Sequence, residues 1–223
     1  MELGRIRDFT KFLDKELAPA VDELEKLSDA NRKHVQKLVY TNMVDRFDHL
    51  VDGILLDNCR NEHLLSKAFS GNDQPITESE LVSLLLRSDD LQTALSGRVQ
   101  DKLRLSVLRQ RHSRKLSTLF TVHGDVGEFE KKPRVNPSKG EIVDNFKVQR
   151  KTTPHSICGY ADWLYSRRNA IVHGAGGARF LGNDKEQMKK TYQVSVADTF
   201  KISVASIRTA STFYTDICEL LQE

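Results

Sequence analysis

A chain of 223 residues, 39% hydrophobic and 29% charged, has the length of one domain and enough apolar material for a substantial core. No apolar run approaches the roughly 18 residues of a membrane span, and the charges spread through Met1 to Lys26 leave no apolar segment for an export signal, so a cytoplasmic protein without membrane attachment is expected. The net charge of +3 is too small to announce nucleic-acid binding by itself, and the widely spaced Cys59, Cys158 and Cys218 give neither a disulfide framework nor a Cys-x-x-Cys metal pattern.

The first half reads as helix after helix. From about Arg5 to Leu27 the apolar positions Ile6, Phe9, Leu13, Leu17, Val21, Leu24 and Leu27 keep steps of three and four, with Pro19 expected to kink the helix or restart it. Ser28-Asp29 offers a cap for a long second helix whose apolar face collects Val35, Leu38, Val39, Met43, Phe47, Leu50, Val51, Ile54 and Leu55, while Asp45, Asp48 and Asp52 share the other side. Those aspartates read as a solvated acidic face or as partners for a basic side chain, since hard-cation sites usually draw ligands from more than one element.

A short helix follows over Asn61 to Phe69, then a turn over Gly71 to Pro75, then Thr77-Glu78-Ser79-Glu80 as a capping box for Leu81 to Leu86. Ser88-Asp89-Asp90 caps a helix carrying Leu91, Leu95, Val99, Leu103 and Val107, which turns basic toward its end with Arg104, Arg109, Arg111, Arg114 and Lys115. His123 to Pro154 breaks the pattern with prolines and glycines: a long loop, with a short hairpin expected near Glu141 to Val148.

A helix is then expected from about His155 to His173, followed by Gly174-Ala175-Gly176-Gly177 and an irregular Gly-rich stretch to about Gln193. The glycines follow a helix instead of preceding one, the wrong polarity for a phosphate-cradling loop. Phe200, Val204, Ile207, Ser211, Tyr214, Cys218 and Leu221 mark a last amphipathic helix. The sum is a single all-α domain, a helical bundle with an irregular loop insertion.

The chemistry concentrates at Tyr165 to Gly174. At roughly 100° per residue the apolar stripe of this helix runs through Ile157, Ala161, Leu164, Ile171 and Val172, which places Arg168 on the inward face. Two readings stand: Arg168 pairs with a buried acid such as Asp45, Asp48 or Asp52, or it serves chemistry together with His173 in the last turn. Histidine titrates near neutrality and serves as base or acid, and a planar, permanently charged arginine grips phosphate oxygens in two places. On a regular helix the two side chains point about 140° apart, and Asn169 shares a face with His173.

The run Arg168-Asn169-Ala170-Ile171-Val172-His173 at the end of the penultimate long helix resembles the R-x4-6-H motif of HEPN domains, including the polar residue that commonly follows the arginine. The motif covers six residues; the architecture around it covers most of the chain. The resemblance implies a metal-independent endoribonuclease, working without cofactor on RNA as a homodimer that joins two motifs in one cleft, in toxins or antiviral defence, with an antitoxin or defence-system protein as a possible partner. It implies Arg168 and His173 as catalytic and Asn169 as an assisting group. Arg167, at the x5 spacing, is the alternative arginine.

Two further basic regions are candidate RNA contacts. The basic run Arg104 to Lys115 reads as a phosphate-contacting stripe or as a solvated face, with Arg109, Arg111 and Arg114, together with Arg167, as the substrate-binding candidates, and the loop from Lys131 to Lys151 interleaves basic residues with Phe129 and Phe146, the mixture that single-stranded RNA sites use. A catalytically silent HEPN-like module that binds a partner protein or a nucleotide is the competing function.

Overall fold

The longest helix, Asp29–Asp57, has apolar residues on more than one side and is packed accordingly. The computed structural model describes residues 2–70, 77–87, 90–124, 127–174 and 178–222; the expected turn over Gly71 to Pro75, the Ser88-Asp89 part of a cap, and Ala175 to Gly177 lie outside them. In chain order the helices are α1 (Glu2–Phe12), a wide π-helical turn (Leu13–Leu17), α2 (Ala18–Leu24), α3 (Asp29–Asp57), α4 (Glu62–Ala68), α5 (Glu78–Arg87), α6 (Leu91–Ser106), α7 (His112–Val122), α8 (Glu128–Lys131), α9 (Ile157–His173), α10 (Gly182–Tyr192) and α11 (Val204–Leu220). The fold is all-α, and its only pairing outside helices among the described residues is two isolated antiparallel bridges, Val135 with Ile142 and Arg179 with Thr199.

α3 is the axis: α1, α2, α7, α9 and α11 all pack on it. Tyr40, Met43, Val44, Phe47, Val51, Ile54 and Leu55 are fully buried, and Phe47 stacks on Tyr214 of α11 with ring centroids 4.2 Å apart. Leu38, expected inward, is exposed, and Tyr40 and Val44 take the core positions beside it.

Pro19 restarts the first helix. It sits in the first turn of α2, where its missing N–H costs nothing, and the wide turn over Leu13–Leu17 absorbs the bend. The capping box forms as read: Thr77 N–H donates to Glu80 Oε2 at 3.0 Å and Glu80 N–H to Thr77 Oγ1 at 3.3 Å. Asp90 caps α6 through Thr93 N–H.

Three expectations differ from the fold. The basic helix end does not continue: α6 stops at Ser106 and α7 starts at His112, so Arg104 and Arg114 stand on different helices. The stretch after Gly174 is not irregular to Gln193, because Gly182–Tyr192 forms α10, ended by Gln193 in the left-handed region at φ 56°. The turn in the long loop is at Val135 to Ile142 rather than at Glu141 to Val148. Gly140, at φ 81°, lies so close to the Thr209 carbonyl of α11 that a Cβ would collide with it, which makes glycine the residue that lets this loop seat on the bundle.

α9 lies between α3 and α7, with α8 and α10 also against it. The second, smaller core of Phe180, Met188, Val194 and Val196 joins α10 to Trp163 and Phe200. All three cysteines are buried and reduced. No helix among the described residues is long and apolar enough to cross a membrane.

Candidate functional site at the end of helix α9

α9 begins at a Ser156 cap whose Oγ accepts from Gly159 N–H and ends at Gly174, whose N–H bonds to the Ala170 carbonyl at 2.9 Å. Between them the helix is buried nearly all round: Tyr160, Ala161, Asp162, Leu164, Ser166 and Ala170 are at most 1% exposed. Tyr40 Oη of α3 donates to the Leu164 carbonyl at 2.9 Å, a tie one turn before the motif. Burial pushes that phenol up to about 12, so it stays a donor.

The inward arginine is Arg167, which corrects the sequence reading. Arg167 is 5% exposed. Its Nη2 donates to the Lys201 carbonyl at 2.6 Å, and its guanidinium lies over Trp163 at 4.6 Å, Phe200 at 5.1 Å and Tyr40 at 5.4 Å. Cation–π attraction and one carbonyl thus hold a buried charge that no carboxylate pairs among the described residues. Ile157, Ala161, Leu164 and Ile171 of the expected stripe are buried, but Val172, counted in it, is 47% exposed; a buried line through Tyr160, Leu164, Arg167 and Ile171 carries the neighbouring arginine inward.

Arg168 is half-buried beside it. Its Nε is 2.6 Å from Asp45 Oδ1 of α3; the N–H is not aligned for a directed hydrogen bond, so the contact is one of charge. Nη1 donates to Asn169 Oδ1 at 3.2 Å, and the guanidinium lies 5.6 Å from the centre of the Tyr165 ring. The pairing with an acid of α3 anticipated from sequence therefore exists, and the acid is Asp45. His173 occupies the last turn, exposed to solvent and with no hydrogen-bond or ion-pair partner among the described residues. Asn169 does not bond His173; it bonds Arg168.

Asp48 and Asp52 of α3 are also taken by basic side chains. Asp48 Oδ1 is 2.6 Å from both His112 Nδ1 and Lys115 Nζ, and Asp52 Oδ1 is 2.6 Å from the same ammonium. Burial alone would raise the Asp48 carboxyl, but His112 and then Lys115 outweigh it and pull the value down to about 2. His112 stacks on Tyr165 with centroids 4.8 Å apart, so a chain of contacts runs from Asp48 through His112 and Tyr165 to Arg168 and Asp45. Among the described residues no three His, Cys, Asp or Glu side chains gather as a metal would require.

The three arginines expected to meet RNA differ in what the fold does with them. Arg111 turns inward: its Nε reaches both oxygens of the fully buried Asp162 at 2.9 Å, and its Nη2 reaches Ser166 at 3.2 Å and Asp184 at 3.0 Å. Arg109 and Arg114 are exposed. The Arg111 knot, closed by Tyr192 Oη on Asp162 at 3.2 Å, locks α7, α9 and α10 together. Sequence reasoning missed Tyr165, Asp162 and Asp184 as partners; the signal within reach was Asp162 and Ser166, polar residues four apart inside an apolar helix.

Compared with protein-family models, with curated proteins and with solved structures, the chain has no match in any of the three.

Proposed function

We propose that the chain is a metal-independent endoribonuclease that cleaves RNA by attack of its own 2′-hydroxyl, acting as a homodimer in a toxin or antiviral-defence setting. The observation that carries this reading is the division of labour at the end of α9: Arg168 is held in place by Asp45, Tyr165 and Asn169, while His173 stands free and exposed one turn and a half later.

The 2′-oxygen attacks phosphorus, its proton passing to an imidazole acting as base; the bond from phosphorus to the 5′-oxygen breaks, and that oxygen takes a proton from an imidazolium acting as acid. The products are a 2′,3′-cyclic phosphate and a free 5′-hydroxyl. Arg168 stabilises the charge on the phosphorane oxygens. It suits this role better than Arg167, whose guanidinium is enclosed by three rings and a carbonyl. Because Arg168 and His173 point to different sides of one helix, a second copy supplying its own motif supports the dimer. Exposed Arg109 and Arg114 are the arginines of the basic region placed to meet a strand.

A silent module binding a partner protein or nucleotide is the second reading, favoured by the same Arg168–Asp45 contact, which alone accounts for the arginine as a packing residue. RNA incubated with the purified protein in chelator separates the two: fragments ending in cyclic phosphate support the nuclease, and intact RNA supports the module.

A further inference from the structure

Tyr165 precedes Arg168 by three residues on α9 and carries the Arg168 guanidinium over its ring, 5.6 Å from the centroid. The other partners of that guanidinium fix it loosely. The Asp45 contact is one of charge without a directed N–H, and Asn169, the next residue in the chain, accepts a single bond at 3.2 Å. We propose that His112 of α7 is a positioning residue for Arg168: bonded to Asp48, it fixes the plane of the Tyr165 ring, and that ring sets where the guanidinium points.

Three features of His112 support this role. Its ring lies parallel to that of Tyr165, at an interplanar angle of 5° with centroids 4.8 Å apart, a flat contact in which a tilt of one ring moves the other. Its Nδ1 is 2.6 Å from Asp48 Oδ1. Burial raises the Asp48 carboxyl less than His112 and Lys115 lower it, to about 2, so Asp48 stays an ionised acceptor and Nδ1 is the ring nitrogen that donates. Phe47 closes a third side edge-on, with centroids 5.8 Å apart at 62°. The imidazole, fully buried, is thereby held from α3 in one orientation.

Packing alone does not account for an imidazole here. His112 Nε2 is buried and has no hydrogen-bond partner among the described residues, a desolvation cost that a phenyl ring of similar shape would avoid. What phenyl lacks is the Nδ1 bond that fixes the plane. Arg168, 20% exposed, keeps an open side that Arg167, enclosed by three rings, does not. An open arginine that must meet phosphate in one geometry gains from a rigid backing, since misplacement by about 1 Å costs on the order of 10²-fold in rate. The effect of His112 on rate rests on the nuclease reading; its effect on the aim of Arg168 does not.

The test is two measurements on the full chain: the order parameter of the Arg168 Nε–H group by nitrogen-15 relaxation, its signal assigned by its disappearance in Arg168→Lys, and RNA cleavage with kcat and KM separated. Tyr165→Leu, at a half-buried position, and His112→Asn, whose amide keeps a donor for Asp48 while the ring is removed, should each drop the order parameter into the mobile range below about 0.6. Each should also lower kcat about tenfold with KM within about twofold. Tyr165→Phe, which returns the ring, should recover most of both. If His112→Asn does not fold by circular dichroism, His112→Phe, which fills the space and loses the Asp48 bond, takes its place with the same expected direction. An order parameter unchanged in Tyr165→Leu or in the His112 variant overturns the proposal. So does an unchanged kcat where the order parameter falls, or a Tyr165→Phe as slow as Tyr165→Leu, which would make the phenol itself the working group. If the parent cleaves no RNA, the nuclease reading fails by itself, and the order parameter still decides whether His112 holds Arg168.

Discussion

Arg168 Nε lies 2.6 Å from Asp45 Oδ1, which ties the arginine of the motif to the central helix as well as to its own. An ion pair between side chains 20% and 35% exposed contributes about 1 kcal/mol or less to stability, so its main consequence is orientation.

Asp45→Asn should therefore lower kcat for RNA cleavage about tenfold with little change in KM, the pattern of a misaimed group, while thermal stability stays close to the parent. A large loss of stability with unaltered kcat in the remaining folded protein would make Asp45 a packing partner only. Arg168→Lys should not restore activity, since a point charge lacks the two-point grip of guanidinium.

The Arg111 knot makes an opposite prediction. Asp162 is fully buried and accepts from Arg111 and Tyr192. Asp162→Asn leaves the Arg111 charge short of its main counter-ion and should destabilise the protein by about 3–5 kcal/mol, read as a fall in the urea midpoint. A variant with the parent's midpoint would show that Asp184 alone suffices.

Much of the bundle was legible because α3, α4, α6 and α11 carry helical periodicity and α5 and α6 carry capping residues that bond as their sequences indicate. α9 was harder. A helix enclosed by neighbours on most sides has no single apolar stripe, and a wheel drawn through Val172 put the wrong arginine inside. The break between α6 and α7 was hidden for a related reason: Arg111 and Lys115 look like a solvated basic run until the acids that neutralise them, distant in sequence, are brought alongside.

Acid should weaken the fold through Asp48. Its folded value, about 2, is below the ordinary carboxylate value of about 4, so its contribution is complete above pH of about 4 and is lost as pH falls toward about 2. The difference in unfolding free energy between the parent and Asp48→Asn should be on the order of 2 kcal/mol at neutral pH and shrink across that window. Lys115 acts at the other end: burial lowers its value, the two aspartates more than restore it, and its contribution is lost as pH rises through the raised folded value. A parent-to-variant difference that stayed constant from pH 6 to pH 2 would contradict the assignment.

The end of α9 should lie at or near a two-fold interface. Light scattering at assay concentration should give twice the chain mass of 25.4 kDa, and mixing His173→Ala with Arg168→Ala chains tests whether two copies share a site: each inactive alone, the mixture should recover activity if one intact pair can be assembled from two copies. A monomer cleaving at full rate would remove the dimer from the proposal.

The central claim, that Arg168 and His173 cleave RNA, is tested most directly by single-turnover cleavage in chelator with the parent and His173→Ala side by side. His173 is exposed and makes no contact that packing depends on, so the variant should keep the parent's helicity and stability, lose at least about 10²-fold in rate, and the parent's upstream fragment should end in a 2′,3′-cyclic phosphate. Cleavage by His173→Ala at the parent's rate, or no cleavage by the parent, would contradict it.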